Sequence, residues 1–406
     1  MERIRHDAAA RRRTILTAGS LALLLSVRLL TIHAGALTAF VRFLNGIVGA
    51  AIIVPAAVLW VIVTGAPKGF FGVMSDIQRI GLKNAAGELP VLVDRRREGE
   101  TAEVLTFLSH GVPLTQFEDF RKKLESALNI SLVDIRQGAD NHTVELEAVP
   151  ASGALPALLR WSDNDLDQRD FVLCLGRGLT GIVTVDLAVV PHILLGGSTG
   201  SGKSILLKLL IMEAIQKGAE VCVADFKGGV DYPAAWQTRC RFCFDEPALL
   251  CLLDELADTL QQRKQLFRDS GCADLREYNA AAAQKLPRCA FACDEVAEVL
   301  DKTGAAKERR EQIGQIETRL ATIARQGRAF GLHLILATQR PDANILAGQI
   351  RNNIDCRICG RADTVLSQII LDSTDAADRI PKTARGRFLL HNGTIFQAFL
   401  PDEAQL

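Results

Sequence analysis

The sequence predicts an α/β chain built on a mostly parallel sheet, preceded by a small α+β module and an N-terminal transmembrane hairpin. Three observations predict it. From Phe171 onward, short Val/Ile/Leu-rich runs ("HILLGG", "EVCVADF", "RCAFACDE", "GLHLILATQ", "DCRICGRA") alternate with long helical stretches. Apolar strands separated by helices imply a parallel sheet covered on both faces. Residues 89–165 instead carry one helical stretch among alternating strands. Finally, between Arg13 and Lys68 the only charged residues are Arg28 and Arg42.

The N-terminal element comes first. The stretch from Phe43 to Pro67 is uncharged and long enough to span a bilayer. Thr14 to Val27 is shorter and becomes a span if Arg28 snorkels at the interface. A cleavable signal peptide is the rival reading, but no small-x-small site follows it. Residues 1–13 hold five arginines and residues 68–97 hold six Lys/Arg, against two arginines between the spans. Positive flanks place both ends in the cytoplasm. Residues 1–68 therefore read as an N-tail and two membrane helices, making the chain a multi-pass cell-membrane protein. Residues 69–88 read as a connector.

In the small module, "TAEVLTFLSHGVP" reads as a strand and turn. "LTQFEDFRKKLESALNI" reads as a helix with Thr115 as N-cap and Glu118 closing a capping box. "SLVDIRQGADNHTVELEAV" reads as two strands around a Gly-Ala-Asp-Asn turn. No catalytic constellation appears in it, so it reads as a structural or assembly module. Residues 166–406 form the remaining α/β domain.

Composition narrows the function classes. The 406 residues balance 47 basic against 47 acidic, so the chain is no polycation. Any nucleic-acid contact must come from a local basic surface or from assembly. Ten cysteines are scattered through apolar runs and read as buried thiols. Cys240-Cys243 and Cys356-Cys359 have zinc-like spacing. Cys356-Cys359, however, lies on an alternating strand, "DCRICGRA", where i and i+3 point to opposite faces, a poor geometry for chelation by both.

Ligands of such sheets bind beyond the C-terminal ends of the strands. The first run ends in "GGSTGSGKS", so Gly197, Ser198, Thr199, Gly200, Ser201, Gly202, Lys203 and Ser204 satisfy the P-loop pattern for ATP. Glycines let backbone N–H groups wrap phosphates, Lys203 reaches the β- and γ-phosphates, and Ser204 binds Mg2+. "FACDE" is a Walker B arrangement, with Asp294 in the Mg2+ shell and Glu295 polarising the attacking water. The bland alternative is an acidic first turn for the next helix. "ADFKGG" places Asp225 and Lys227 at another strand end, where they approach the phosphate site, face a subunit boundary, or make a tight turn. "GLHLILATQRP" ends at Gln339, whose amide can contact the γ-phosphate or the attacking water. Arg340 brings positive charge to the same edge, and Pro341 halts the chain. Arg325, Arg328, Arg351, Arg357 and Arg361 are candidates for an arginine acting in a neighbouring subunit's site.

These motifs, with "QIILDSTDAADRI", follow in the order and spacing of the FtsK/SpoIIIE family, which residues Phe171 onward resemble. "LATQRP" is the most specific of them. The resemblance implies a RecA-like motor assembled as a ring, usually a hexamer, with DNA in the pore and ATP hydrolysed between subunits. Lys203, Asp294, Glu295 and Gln339 are then the catalytic set. Chromosome-pumping members typically carry more spans, a long linker and a C-terminal winged helix. This chain reads "FLPDEAQL" directly after the motor, and has Ser367-Gln368 where those members often read Ser-Arg. Its layout looks like the FtsK-like coupling proteins of conjugative elements, which link processed DNA to a transfer channel and relaxase. The expected function is thus a membrane-anchored DNA translocase for conjugation. A type VII-like protein-secretion ATPase and a chromosome-partitioning translocase are the alternatives, with a non-catalytic scaffold furthest behind.

Overall fold

The computed structural model describes residues 69–98, 102–151, 155–232, 234–339 and 348–402, with isolated positions before residue 69. The chain divides into two compact units, Met1–Ala154 and Leu155–Leu406.

The expected transmembrane hairpin, and the two-span membrane localisation built on it, do not stand. Among the described residues no helix is long and apolar enough to cross a membrane. Thr14 to Val27 falls mostly outside the described residues, and Phe43 to Pro67 falls about half outside them. The apolar helix Lys203–Gln216 has 14 residues, about 21 Å of rise against a hydrocarbon core of about 30 Å. The helices long enough, Glu246–Ser270 and Lys307–Phe330, carry charge along one side.

The first unit holds a four-stranded antiparallel sheet ordered β1-β2-β4-β3, from β1 (Val91–Glu98), β2 (Ala102–Leu108), β3 (Ile130–Gln137) and β4 (Thr143–Pro150). Helices α1 (Phe70–Ile80), α2 (Leu114–Asp119) and α3 (Arg121–Leu128) accompany it. Ile77, Phe107, Phe117, Leu124 and Leu146 share one buried core, so the apolar faces of helices and sheet meet. The capping box at Thr115 does not form. Pro113 is the N-cap residue, without a side-chain cap, and the single predicted helix breaks at Phe120. The β3–β4 turn forms as read, with Asp140 Oδ1 accepting from His142 N (3.0 Å) and Thr143 Oγ1 (2.9 Å).

The second unit is built on one large sheet of β5 (Leu159–Arg160), β6 (Val172–Gly178), β7 (Gly181–Asp186), β8 (Ile193–Gly196), β9 (Glu220–Ala224), β10 (Cys240–Cys243), β11 (Cys289–Cys293), β12 (Leu332–Thr338), β13 (Cys356–Cys359), β14 (Arg387–Leu390) and β15 (Ile395–Leu400). The order is β10-β9-β11-β12-β8-β13-β14-β15-β6-β7, with β5 beside β15. From β10 to β13 every pairing is parallel. Antiparallel β14, β15, β6 and β7 extend the sheet.

Alternate strand residues face opposite ways, and the two cores divide accordingly. Leu194, Cys222, Phe291 and Leu334 pack with α5 (Glu246–Ser270) and α8 (Lys307–Phe330). Ile193, Val221, Ala290 and Ile335 pack with α4 (Lys203–Gln216) on the other side. The same alternation separates each CxxC pair. Cys240 and Cys356 lie in the α4-side core, while Cys243 and Cys359 lie opposite. Burial pushes all four thiols up to about 12. These cysteines are packing residues, and neither pair converges on one point.

Candidate nucleotide site

Strands β8, β9, β11 and β12 all end on one rim, because they run parallel and lie within one block. β8 delivers its chain into the glycine loop and then α4, whose N-cap Gly202 is left-handed (φ 101°). Two loop glycines are required by geometry. Gly200 has φ 75°, and at Gly202 a Cβ would also lie 3.0 Å from Gly386 N. The loop is braced from the next strand over. Ser198 N donates to Arg361 O (2.8 Å), and Arg361 Nη2 donates to Thr199 O (2.6 Å). Ser201 is buried, and its Oγ has no hydrogen-bond partner among the described residues.

Asp294 is where the site converges. It follows β11 and is only 5% exposed. Lys203 Nζ donates to its Oδ1 (2.5 Å) and its carbonyl (2.7 Å). Ser204 Oγ lies 3.0 Å from Oδ1 and 3.1 Å from Oδ2. Lys227 Nζ, from the β9 end, donates to Oδ2 (3.1 Å). Burial disfavours the Asp294 anion, but the Lys203 and Lys227 ammonium groups outweigh it and hold the carboxyl below its usual range. In return, and against its own partial burial, Lys227 is pushed up to about 12 by Asp294 and Asp231.

Glu295 is positioned separately. Thr338 Oγ1 donates to Glu295 Oε1 (2.7 Å), and Gln339 N donates to Oε2 (3.0 Å). The Gln339 amide oxygen accepts from Thr199 Oγ1 of the glycine loop (3.0 Å). The end of β12 therefore ties the acidic pair to the P-loop. Asp225 folds its own turn, with Oδ1 accepting from Lys227 N (3.1 Å) and Oδ2 from Gly229 N (2.7 Å). Of the three readings left open for Asp225 and Lys227, Asp225 makes the turn and Lys227 reaches the phosphate-site acid.

The structure brings together Gly197 to Ser204, Asp225, Lys227, Asp294, Glu295 and Gln339. Arg340 lies outside the described residues. Arg357 does not join the site, since its guanidinium is held by Asp372 and by the Ile354 and Arg351 carbonyls. Arg328 is exposed near the end of α8, just before β12 begins, and so lies at the opposite edge of the sheet from Thr338. Arg361 is engaged within its own chain. Sequence reasoning missed Thr338. Its one signal was a hydroxyl immediately before Gln339 in an otherwise apolar strand.

Comparison with known proteins agrees with this geometry. Residues 175–346 match the family described as "Helicase HerA, central domain". Curated relatives include "DNA translocase FtsK" of Caldanaerobacter subterraneus, 27% identical over 58% of this chain. "DNA translocase SftA" of Bacillus subtilis is 27% identical over 63%. A solved structure, "pCW3 conjugation coupling protein TcpA monomer form with ATPgS", is 33% identical, with TM-score 0.63, across 83% of this chain and 96% of that one. The chain belongs to the FtsK/SpoIIIE family. It spans 34% and 28% of the lengths of those two curated relatives. Every FtsK/SpoIIIE motif residue gathered at the rim lies inside the stretch matched to the HerA central domain, so this chain carries a P-loop ATPase domain of that type.

Proposed function

We propose that the chain is an ATP-driven DNA translocase serving as the coupling protein that moves DNA into a conjugative transfer channel. The observation that carries this is the convergence of Lys203, Ser204 and Lys227 on buried Asp294, with Gln339 linking Glu295 to the P-loop. The coupling role rests on likeness to TcpA over nearly that protein's whole structure.

The residues fit a Mg2+-nucleotide. The loop backbone is left-handed where it must curl, and Ser204 and Asp294 supply the hard oxygen donors that Mg2+ takes. Held by Ser204 and Asp294, Mg2+ would supply the positive charge that offsets the phosphates. Lys203 holds the β- and γ-phosphates, releasing its bond to Asp294. Ser204 and Asp294 orient the metal shell. Glu295, kept in place by Thr338 Oγ1 and Gln339 N, accepts a proton from the attacking water. Gln339, bonded to both Glu295 and Thr199, responds when the γ-phosphate departs. A ring of subunits with DNA in its pore, and docking to relaxase and channel proteins, complete the proposal.

The test is ATP hydrolysis by the full chain with and without DNA. DNA-stimulated hydrolysis that is lost in Lys203→Ala supports it. Hydrolysis indifferent to both single- and double-stranded DNA but raised by a secreted polypeptide overturns it in favour of protein export.

A further inference from the structure

Lys227 has two anionic partners, and only one of them belongs to the metal shell. Its ammonium lies 3.1 Å from Asp294 Oδ2 and 3.2 Å from Asp231 Oδ2. Lys203 also contacts Asp294, but the P-loop lysine has the nucleotide phosphates as its alternative partner. The alternative partner of Lys227 is Asp231, four residues along its own turn. Two positive charges do not share one carboxylate oxygen at contact distance without strong repulsion. A divalent cation held by the Asp294 carboxylate and the Lys227 ammonium would therefore compete for it.

The turn around Lys227 is built to let the ammonium leave. Gly228 and Gly229 both have φ 79°, a conformation open to glycine at no steric cost. Lys227 itself is 45% exposed. On either side the turn is anchored: Asp225 Oδ2 holds Gly229 N, and Tyr232 N donates to Gly229 O (3.1 Å). Tyr232 is buried against Trp236 and Phe242, with the Lys208 ammonium 5.5 Å from its ring centre. The Lys227 ammonium, which touches Asp294 and Asp231 at once, can thus leave Asp294 and keep Asp231 while the ends of the turn stay fixed.

We propose that Lys227 is a positioning residue that reports metal loading: divalent cation bound at Asp294 expels its ammonium to Asp231 and into solvent. This rests on the assignment of Ser204 and Asp294 to the metal shell under the proposed function. Lys227 then signals the state of the site to the surface of the turn, without touching phosphate.

The test uses the full chain with ADP and Mn2+ as the metal probe, reading free Mn2+ by electron paramagnetic resonance. Lys227→Met removes the competitor and is expected to tighten Mn2+ binding about two- to five-fold, the upper range of a half-exposed ion pair. Lys227→Arg keeps a charge there and is expected to stay within about two-fold of wild type. Acetylation of Lys227, followed by mass spectrometry, is expected to rise when Mn2+ and ADP are added. Unchanged or weaker Mn2+ binding in Lys227→Met overturns the proposal, as does acetylation indifferent to Mn2+. Weaker ADP binding without metal also overturns it, because Lys227 would then be a phosphate ligand. Asp294→Asn is the control: if wild type and Asp294→Asn bind Mn2+ equally, the metal-site assignment fails instead.

Discussion

Asp294→Asn keeps the shape of the side chain and removes the charge on which two ammonium groups converge. The side chains of Lys203 and Asp294 are 4% and 8% exposed and 2.5 Å apart. Breaking a pair this buried by neutralising one member costs about 3–5 kcal/mol, because the remaining charge is left uncompensated. The lower end applies, since the Asp294 carbonyl still accepts from Lys203 and the new amide oxygen can also accept. Lys227, being half-exposed, adds at most about 1 kcal/mol. A loss of about 3 kcal/mol in a unit of this size lowers Tm by roughly 6–12 °C. Differential scanning calorimetry of the full chain at pH 7 without nucleotide measures it. Lys203→Met in the Asp294→Asn background is expected to recover part of the loss, with a coupling of about 2 kcal/mol. The folded Asp294 carboxyl lies below its usual range, so its contribution is present above the unfolded value of 3.8 and is lost as pH falls through the folded one. The gap between wild type and variant therefore narrows in acid. A drop under about 2 °C, with additive single and double variants, would refute the view that a buried ion pair organises this site.

Other outcomes follow from the same geometry. Glu295→Gln is expected to bind ATP as wild type does and to hydrolyse it at least about 100-fold more slowly, the range for a lost general base; single-turnover kinetics checks this. Gln339→Ala breaks the bridge to Thr199 Oγ1 and is expected to lower kcat with little change in nucleotide Kd. Equal turnover in that variant would leave Gln339 a strand-end residue only. Gly202→Ala forces a Cβ to 3.0 Å from Gly386 N at φ 101°, and equilibrium binding is expected to show ATP affinity lost. His192 and His333 are buried neutral, held down by burial to about 4 and about 3. Their folded values lie below the unfolded 6.5, so the unfolded chain binds more protons beneath that pH. Stability is expected to fall by about 1.4 kcal/mol per pH unit per histidine between 6.5 and 4. In urea titrations, His192→Gln, which keeps a donor and an acceptor, is expected to flatten that slope.

Each strand of the parallel block except β10 was legible, because doubly covered strands are continuous apolar runs. β10, "CRFC", was missed because it is a four-residue strand at the sheet edge with its arginine exposed, although β13, "CRIC", shows the same pattern and was read. The antiparallel extension β14–β15–β6–β7 was missed because its members lie far apart in sequence and pair only through long-range register. The α2–α3 break at Phe120 had no glycine or proline to mark it.

At the site, sequence alone determined the chemistry on offer. A phosphate-wrapping glycine loop, an acidic pair at one strand end and an amide at another have residue-type signatures that do not depend on distance. The tertiary structure decided who touches whom. It placed Lys227 on Asp294 and Thr338 on Glu295, turned Arg361 inward to brace the P-loop, and set Arg328 on the far edge of the sheet. Strand order and register decide these contacts, and both arise from long-range pairing that no local pattern encodes. For the N-terminal region, apolar length predicted two spans, but no described helix is long and apolar enough to be one.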